Sequence, residues 1–120
     1  MTNAEFRDML EERTAKFAVD VFKMLRKLPS DVATRVIAYQ LGKSASSIGA
    51  NYHEANRAES KDDFTHKIAI ALKEANESSY WFRILKDLFN GESDIDQLQK
   101  ESWELRNLLQ SILHGSRHSH

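Results

Sequence analysis

Five polar side chains, Gln40, Ser44, Ser47, Asn51 and Glu54, recur at spacings of four, three, four and three. On a helix that spacing brings all five to one face, beside an apolar stripe. A second line, Lys67, Glu74, Ser78 and Trp81, repeats the pattern further along the chain. Carboxylates, amides, hydroxyls and an ammonium facing one another between two helices could hold a polar ligand. They could equally form an internal network that fixes helix register, because polar groups withdrawn from water must be paired. The second reading is the simpler one. Gln40, Ser44, Asn51, Glu54, Arg57, Lys67 and Glu74 are therefore expected to form a structural polar network, with Asn51 and Glu54 partly buried and Lys67 and Arg57 as their cationic partners.

Other chemistry finds less support. Carboxylate metal centres in helical bundles use Glu-x-x-His pairs with two further glutamates. No glutamate here is followed three residues later by histidine, and Asp63-x-x-His66 stands alone near a helix start, where capping explains it. His114, His118 and His120 belong to a terminal tail. No metal and no cofactor are expected. The chain has no cysteine, and its serines lie in neither a Gly-x-Ser-x-Gly elbow nor a glycine-rich phosphate loop. Ser44, Ser46 and Ser47 are small residues suited to close helix packing. The sequence does not read as an enzyme.

Apolar residues follow the 3.6-residue period almost throughout, and period-2 alternation is absent. One proline and four glycines in 120 residues suit long helices, since proline costs about 3 kcal/mol and glycine about 1 kcal/mol within one. Helices are predicted over about 4–28, 31–57, 61–89 and 94–114, in one domain spanning 1–115, with 116–120 a disordered tail. The first carries Phe6, Met9, Leu10, Phe17, Val21, Met24, Leu25 and Leu28, opened by a Thr2/Glu5 capping box and closed by Pro29. The second carries Val32, Val36, Ile37, Leu41, Ala45, Ile48, Tyr52 and Ala55 inward. Gly42 and Gly49, seven apart, invite a neighbouring helix to approach closely. Ser60 and Asp63 cap the third helix, Asn90-Gly91 stops it, and Gly115 ends the fourth. Short loops make consecutive helices antiparallel. The fold class is all-α, an up-down-up-down four-helix bundle.

Net charge is −1, from 17 Lys+Arg and 18 Asp+Glu, against the strongly basic balance of a dedicated nucleic-acid binder. Cations gather late in the first helix (Lys16, Lys23, Arg26, Lys27) and acids early in the fourth (Glu92, Asp94, Asp96, Glu101, Glu104). Those segments share one end of the bundle and are expected to neutralise each other. No apolar run approaches the roughly 20 residues that span a bilayer, and Met1–Leu10 is too charged for a secretory signal. The protein is expected to be soluble and cytoplasmic.

The middle of the chain carries a resemblance. Gln40-Leu41-Gly42-Lys43-Ser44-Ala45-Ser46-Ser47-Ile48-Gly49-Ala50-Asn51 is similar to a run of glutamine, small residues and Ser-Ile-x-x-Asn in the small four-helix-bundle proteins encoded in intervening sequences of bacterial 23S rRNA genes. Asn51-Tyr52-His53-Glu54-Ala55-Asn56-Arg57-Ala58-Glu59-Ser60 continues it where many members have Asn-Ile-Ala-Glu-Gly followed by arginine and serine. The Ala-Glu-Gly of those members is His53-Glu54-Ala55 here, which predicts a differently wound corner. Asp63-Phe64-Thr65-His66-Lys67-Ile68, Leu72-Lys73-Glu74-Ala75-Asn76-Glu77 and Tyr80-Trp81 extend the match, which covers roughly Phe17 to Leu88. The resemblance implies a ring-like homo-oligomer, a pentamer in known members, with no assigned enzymatic activity. A related branch, the accessory proteins of diversity-generating retroelements, binds a reverse transcriptase and nucleic acid.

The leading expectation is a non-enzymatic, self-assembling bundle that scaffolds or binds partners. Its small-residue face (Gly42, Ser46, Gly49) and its aromatics Tyr80, Trp81 and Trp103 supply contact surface. The alternative is weak, salt-sensitive RNA or DNA binding through Arg35, Lys43, Arg57 and Lys61 repeated around an oligomer.

Overall fold

Three helices begin where a short polar side chain replaces a missing backbone partner. In the computed structural model, which describes residues 1–118, Thr2 accepts from the Glu5 amide while the Glu5 carboxylate accepts from the Thr2 amide, closing the predicted capping box. Asp31 accepts from the Thr34 amide and hydroxyl, and Ser60 from the Asp63 amide. The elements are α1 (Asn3–Leu25), α2 (Val32–Ala55), α3 (Lys61–Leu88) and α4 (Ser93–His118), with no strand among the described residues.

The ends differ from the sequence expectation by a few residues, for local reasons. α1 stops at Leu25 rather than Leu28. Its last turn tightens into bonds from the Lys27 and Leu28 amides to the carbonyls three residues back, because Pro29 disfavours helical geometry in the residue before it. α2 ends at Ala55 in the same way, through the Arg57 and Ala58 amides. Gly91 adopts φ 95°, the left-handed stop expected after α3. Gly115 does not end α4, which continues to His118. There Ser116 is half-buried and its hydroxyl bonds that of Thr65 at the start of α3, tying the last turn down. Residues 116–118 are thus helical where a disordered tail was expected. The rest of that tail, positions 119 and 120, lies outside the described residues.

Each helix neighbours the next, and α4 returns to α1. The ties show antiparallel order: Glu11 meets Asn56 and Thr14 sits against Gly49; Lys86 reaches Asp96 and Thr65 reaches Ser116; Arg13 meets Glu101 and Lys27 meets Asp94. The helices therefore pack as a four-helix bundle. Leu10, Phe17, Val21 and Met24 from α1 meet Ile37, Leu41, Ala45, Ile48 and Tyr52 from α2, Ile68, Ala75, Phe82 and Leu85 from α3, and Ile95, Leu105, Leu109 and Leu113 from α4 in one core. Phe17 and Phe82 meet across its centre, ring centroids 6.2 Å apart and tilted by 54°, an arrangement that adds about 0.5–1.5 kcal/mol beyond burial.

One part of the predicted core lies outside. Val32 and Val36 are 70% and 55% exposed. At about 100° per residue, Thr34, Ile37, Leu41, Ala45 and Ile48 fall on one side of α2 and Val32 and Val36 opposite. Thr34 takes the inward place and is buried.

Candidate functional site

The polar line divides between several surroundings. Ser44 and Ser78 are buried and bonded: the Ser78 hydroxyl donates to Ser44 Oγ at 2.9 Å, and Ser44 donates to the Leu41 carbonyl at 3.2 Å. This is the one direct link between the two polar lines that the described hydrogen bonds show. Asn51 is half-buried, and its amide donates to the Ser47 carbonyl one turn back. Gln40 and Lys67 are half-buried as well. Glu74 is half-buried beside Glu77; burial, then the Glu77 charge and hydrogen bond, push its carboxyl above the ordinary value, against the pull of Lys73 and Lys43. Glu54 is exposed and forms no ion pair among the described residues, which differs from its expected burial beside a cation.

Arg57 turns the other way, to α1. The Glu11 carboxylate accepts from Asn56 Nδ2 at 2.9 Å and from Arg57 Nη1 at 3.2 Å, and lies 3.1 Å from His53 Nδ1. Burial pushes the Glu11 carboxyl up; bonds from Arg57, Asn56 and His53 and the Arg57 charge outweigh it and hold the group below its ordinary value. Positions 53, 56 and 57 continue the side of α2 that Gly42 and Gly49 turn to α1, so helical spacing brings all three side chains to Glu11. A signal was present in the sequence: His53, Asn56 and Arg57 form an i, i+3, i+4 set of donors at the end of α2, opposite the acidic start of α1.

The glycines serve α1 directly. A Cβ on Gly42 would stand 2.9 Å from Phe22 Cε1, and one on Gly49 3.0 Å from Thr14 Oγ1. The close neighbour inferred from their spacing is thus α1 of the same chain. Outside this seam lies an apolar face. Val19, Phe22, Val36 and Tyr39 are 50%, 47%, 55% and 68% exposed. Two shallow hollows, about 330 and 350 Å³, share Ser46 and run along the groove, past Ala15, Ala18, Gly49 and Ala50 at one end and Phe22, Tyr39 and Gly42 at the other.

The opposite charges of α1 and α4 meet in part: among the described residues, Lys27 alone of the cations expected there pairs with α4, and Arg13, outside that set, makes the other link. Arg13 donates from Nε and Nη2 to the two Glu101 oxygens at 2.7 and 2.6 Å, with Glu104 at 3.3 Å, and Lys27 reaches Asp94 at 3.0 Å. Lys16 pairs with Asp20 within α1.

The four candidate nucleic-acid contacts are scattered. Arg35 donates to the Ser30 carbonyl at 2.7 Å. Lys43 is exposed about 12 Å further along α2 at 1.5 Å per residue. Arg57 is held by Glu11, and Lys61 opens α3 beyond the far end of α2. Among the described residues no three His, Cys, Asp or Glu side chains gather as metal ligands, and no helix is long and apolar enough to cross a membrane.

Four helices around one core, with polar pairs at their seams and an apolar outer face, define an all-α helical-bundle protein. The chain belongs to the 23S rRNA-intervening sequence protein family, whose model matches residues 9–111. It is similar to a crystal structure of a protein of unknown function from the S23 ribosomal protein family of Bacteroides thetaiotaomicron, with 35% identity and a TM-score of 0.78 over 86% of this chain and 96% of that one. No curated protein matches the chain. Neither relationship indicates an enzymatic family.

Proposed function

We propose that the protein is a non-enzymatic scaffold whose copies join through the outer face of α1 and α2. The observation that carries this reading is the apolar cluster Val19, Phe22, Val36 and Tyr39 on adjoining helices, each about half exposed or more. Apolar residues gathered on one face, rather than scattered singly, mark contact sites. Half-buried Ser46, too small to fill the space beside Phe22 and Tyr39, leaves a shallow hollow on this face. The family resemblance extends the reading to a ring-like homo-oligomer of five.

The non-enzymatic reading is supported by the serines. Ser44, Ser46 and Ser47 each donate to a carbonyl of their own helix, as packing residues do. The polar line then acts as a register device, its buried Ser44–Ser78 pair fixing α2 against α3.

Light scattering at micromolar concentration tests the assembly. The native chain should exceed its monomer mass of 13.8 kDa, and a Phe22→Lys, Tyr39→Lys double variant should fall to it while keeping its helical circular dichroism. A native monomer, or a double variant that assembles as the native chain does, would overturn the proposal.

A further inference from the structure

His114 and His118 stand one turn apart near the end of α4, and the helix runs through both. Two contacts hold that turn in place. Leu113, one residue before the first histidine, is 3% exposed and belongs to the core. Ser116, between the two, is half-buried, and its hydroxyl bonds that of Thr65 at the start of α3. The backbone that carries the rings is thus ordered by contacts in which neither ring takes part.

Residues four apart share a helix face, and both imidazoles are exposed. Their ring centroids lie 4.4 Å apart, tilted by 45°. Two imidazoles bound to one ion, each with a metal–nitrogen bond of about 2.0–2.1 Å, keep their centroids about 4.5–5 Å apart for bond angles from a right angle to the tetrahedral one. The separation in α4 is close to the right-angled case, which octahedral and square-planar ions offer.

The surroundings tolerate a cation. Back along the same face come Ser111, Gln110 and Asn107, all exposed and uncharged. Arg117, three residues from His114, is the cation of α4 that adjoins the pair; it is exposed, so it opposes a bound ion only through water. The C-terminal end of a helix carries partial negative charge from carbonyls that lack amide partners.

We propose that His114 and His118 form a bidentate site for a divalent transition-metal ion of the imidazole-binding class, Ni²⁺, Cu²⁺ or Zn²⁺. Water fills the remaining positions of the ion. Hard ions such as Mg²⁺ prefer oxygen ligands and are refused. Because the turn is ordered beforehand, the second ring closes onto an ion already held by the first, and the pair binds more tightly than two independent histidines. The ion in turn ties down the end of α4, so binding stabilises the folded chain. The site belongs to α4, and its test does not depend on how copies join through α1 and α2.

The probe is Ni²⁺ chloride, titrated calorimetrically into the full chain at neutral pH. One ion per chain should bind, Mg²⁺ should not compete, and the melting temperature should rise with Ni²⁺. His118→Ala should lose at least the roughly tenfold in affinity that losing a mere supporting contact costs at a metal site. His66→Ala, which removes an exposed histidine of α3, should lose nothing. Two changes at Gly115 distinguish a helical chelate from histidines on a loose end, because both keep every imidazole. Gly115→Ala should bind at least as tightly, since a methyl there meets nothing within 4 Å and alanine favours the helix. Gly115→Pro breaks the turn and should bind as weakly as His118→Ala. Scattering and circular dichroism verify that each variant keeps the bundle. Affinity unchanged in His118→Ala or in Gly115→Pro would overturn the proposal. So would competition by Mg²⁺, or one ion shared between two chains.

Discussion

Two half-buried carboxylates, Glu11 and Glu74, have opposite electrostatic fates, and they give the sharpest tests at the residue scale. The Glu11 carboxyl is held below its ordinary value by donors that together outweigh its burial. Its stabilising effect is therefore complete above the unfolded value of about 4.3 and is lost as pH falls through the lower folded value. Glu74 is raised by burial and by Glu77, so its charge opposes folding above its folded value and the penalty disappears on acidification. Glu11→Gln should lower stability at neutral pH by about 1 kcal/mol and flatten the acid limb of the melting curve. Glu74→Gln should raise the melting temperature at neutral pH and make no difference once both carboxyls are protonated. Thermal melts of the two variants from pH 7 downward check both signs; a loss of stability in Glu74→Gln at pH 7 would contradict the second. The Ser44–Ser78 pair is testable by a double-mutant cycle. Each serine changed to alanine should cost about 1 kcal/mol, and the double variant should cost less than their sum, because each single change strands its partner. From sequence, the polar line was legible as a face, and Ser44 within it as a packing residue. The destination of Arg57 was not, because its partner Glu11 lies 46 residues away in the chain, although the spacing from His53 and Asn56 puts it on the α1 side of α2.

At the scale of the element, caps and stops were the most readable features. The Thr2–Glu5 box, Ser60 and Gly91 act where their local chemistry places them, because such signals involve only three or four neighbouring residues. Gly115 misled for the complementary reason: Ser116 is tied to Thr65 on another helix, a contact absent from local pattern. The valines of early α2 misled because an apolar residue at every fourth position drifts around a helix of 3.6 residues per turn. The glycines allow a comparison between two nominally equal substitutions. Alanine in place of glycine within a helix gains about 1 kcal/mol in propensity. At Gly42 the new methyl meets the rim of Phe22, a side chain about half exposed that can swing away. At Gly49 it meets Thr14 at its hydroxyl, its Cβ and, at 3.4 Å, its backbone carbon, and Thr14 is buried and bonded to the Leu10 carbonyl. Gly42→Ala should therefore be neutral or stabilising, and Gly49→Ala should be the less stable of the two by about 1 kcal/mol or more. Equal melting temperatures would show that α1 adjusts as a rigid body at both points.

For the whole molecule, the bundle could be anticipated because four one-sided stripes joined by short loops have few other ways to bury themselves. The outer surface could not, because which face a stripe leaves exposed depends on the rotation of each helix. That rotation leaves an apolar face along α1 and α2. If copies join through it, folding and association are linked. The apparent stability then contains a mass-action contribution that grows with protein concentration. The melting temperature of the native chain should rise over a hundredfold increase in concentration; each tenfold step in the association equilibrium corresponds to about 1.4 kcal/mol. The Phe22→Lys, Tyr39→Lys variant should melt at one temperature throughout, because both residues point outward and the core beneath them is intact. Its melting point should meet that of the native chain at high dilution, where both are monomeric. A double variant that melts well below the diluted native chain would place Phe22 and Tyr39 in the stability of the single bundle rather than in the contact between copies.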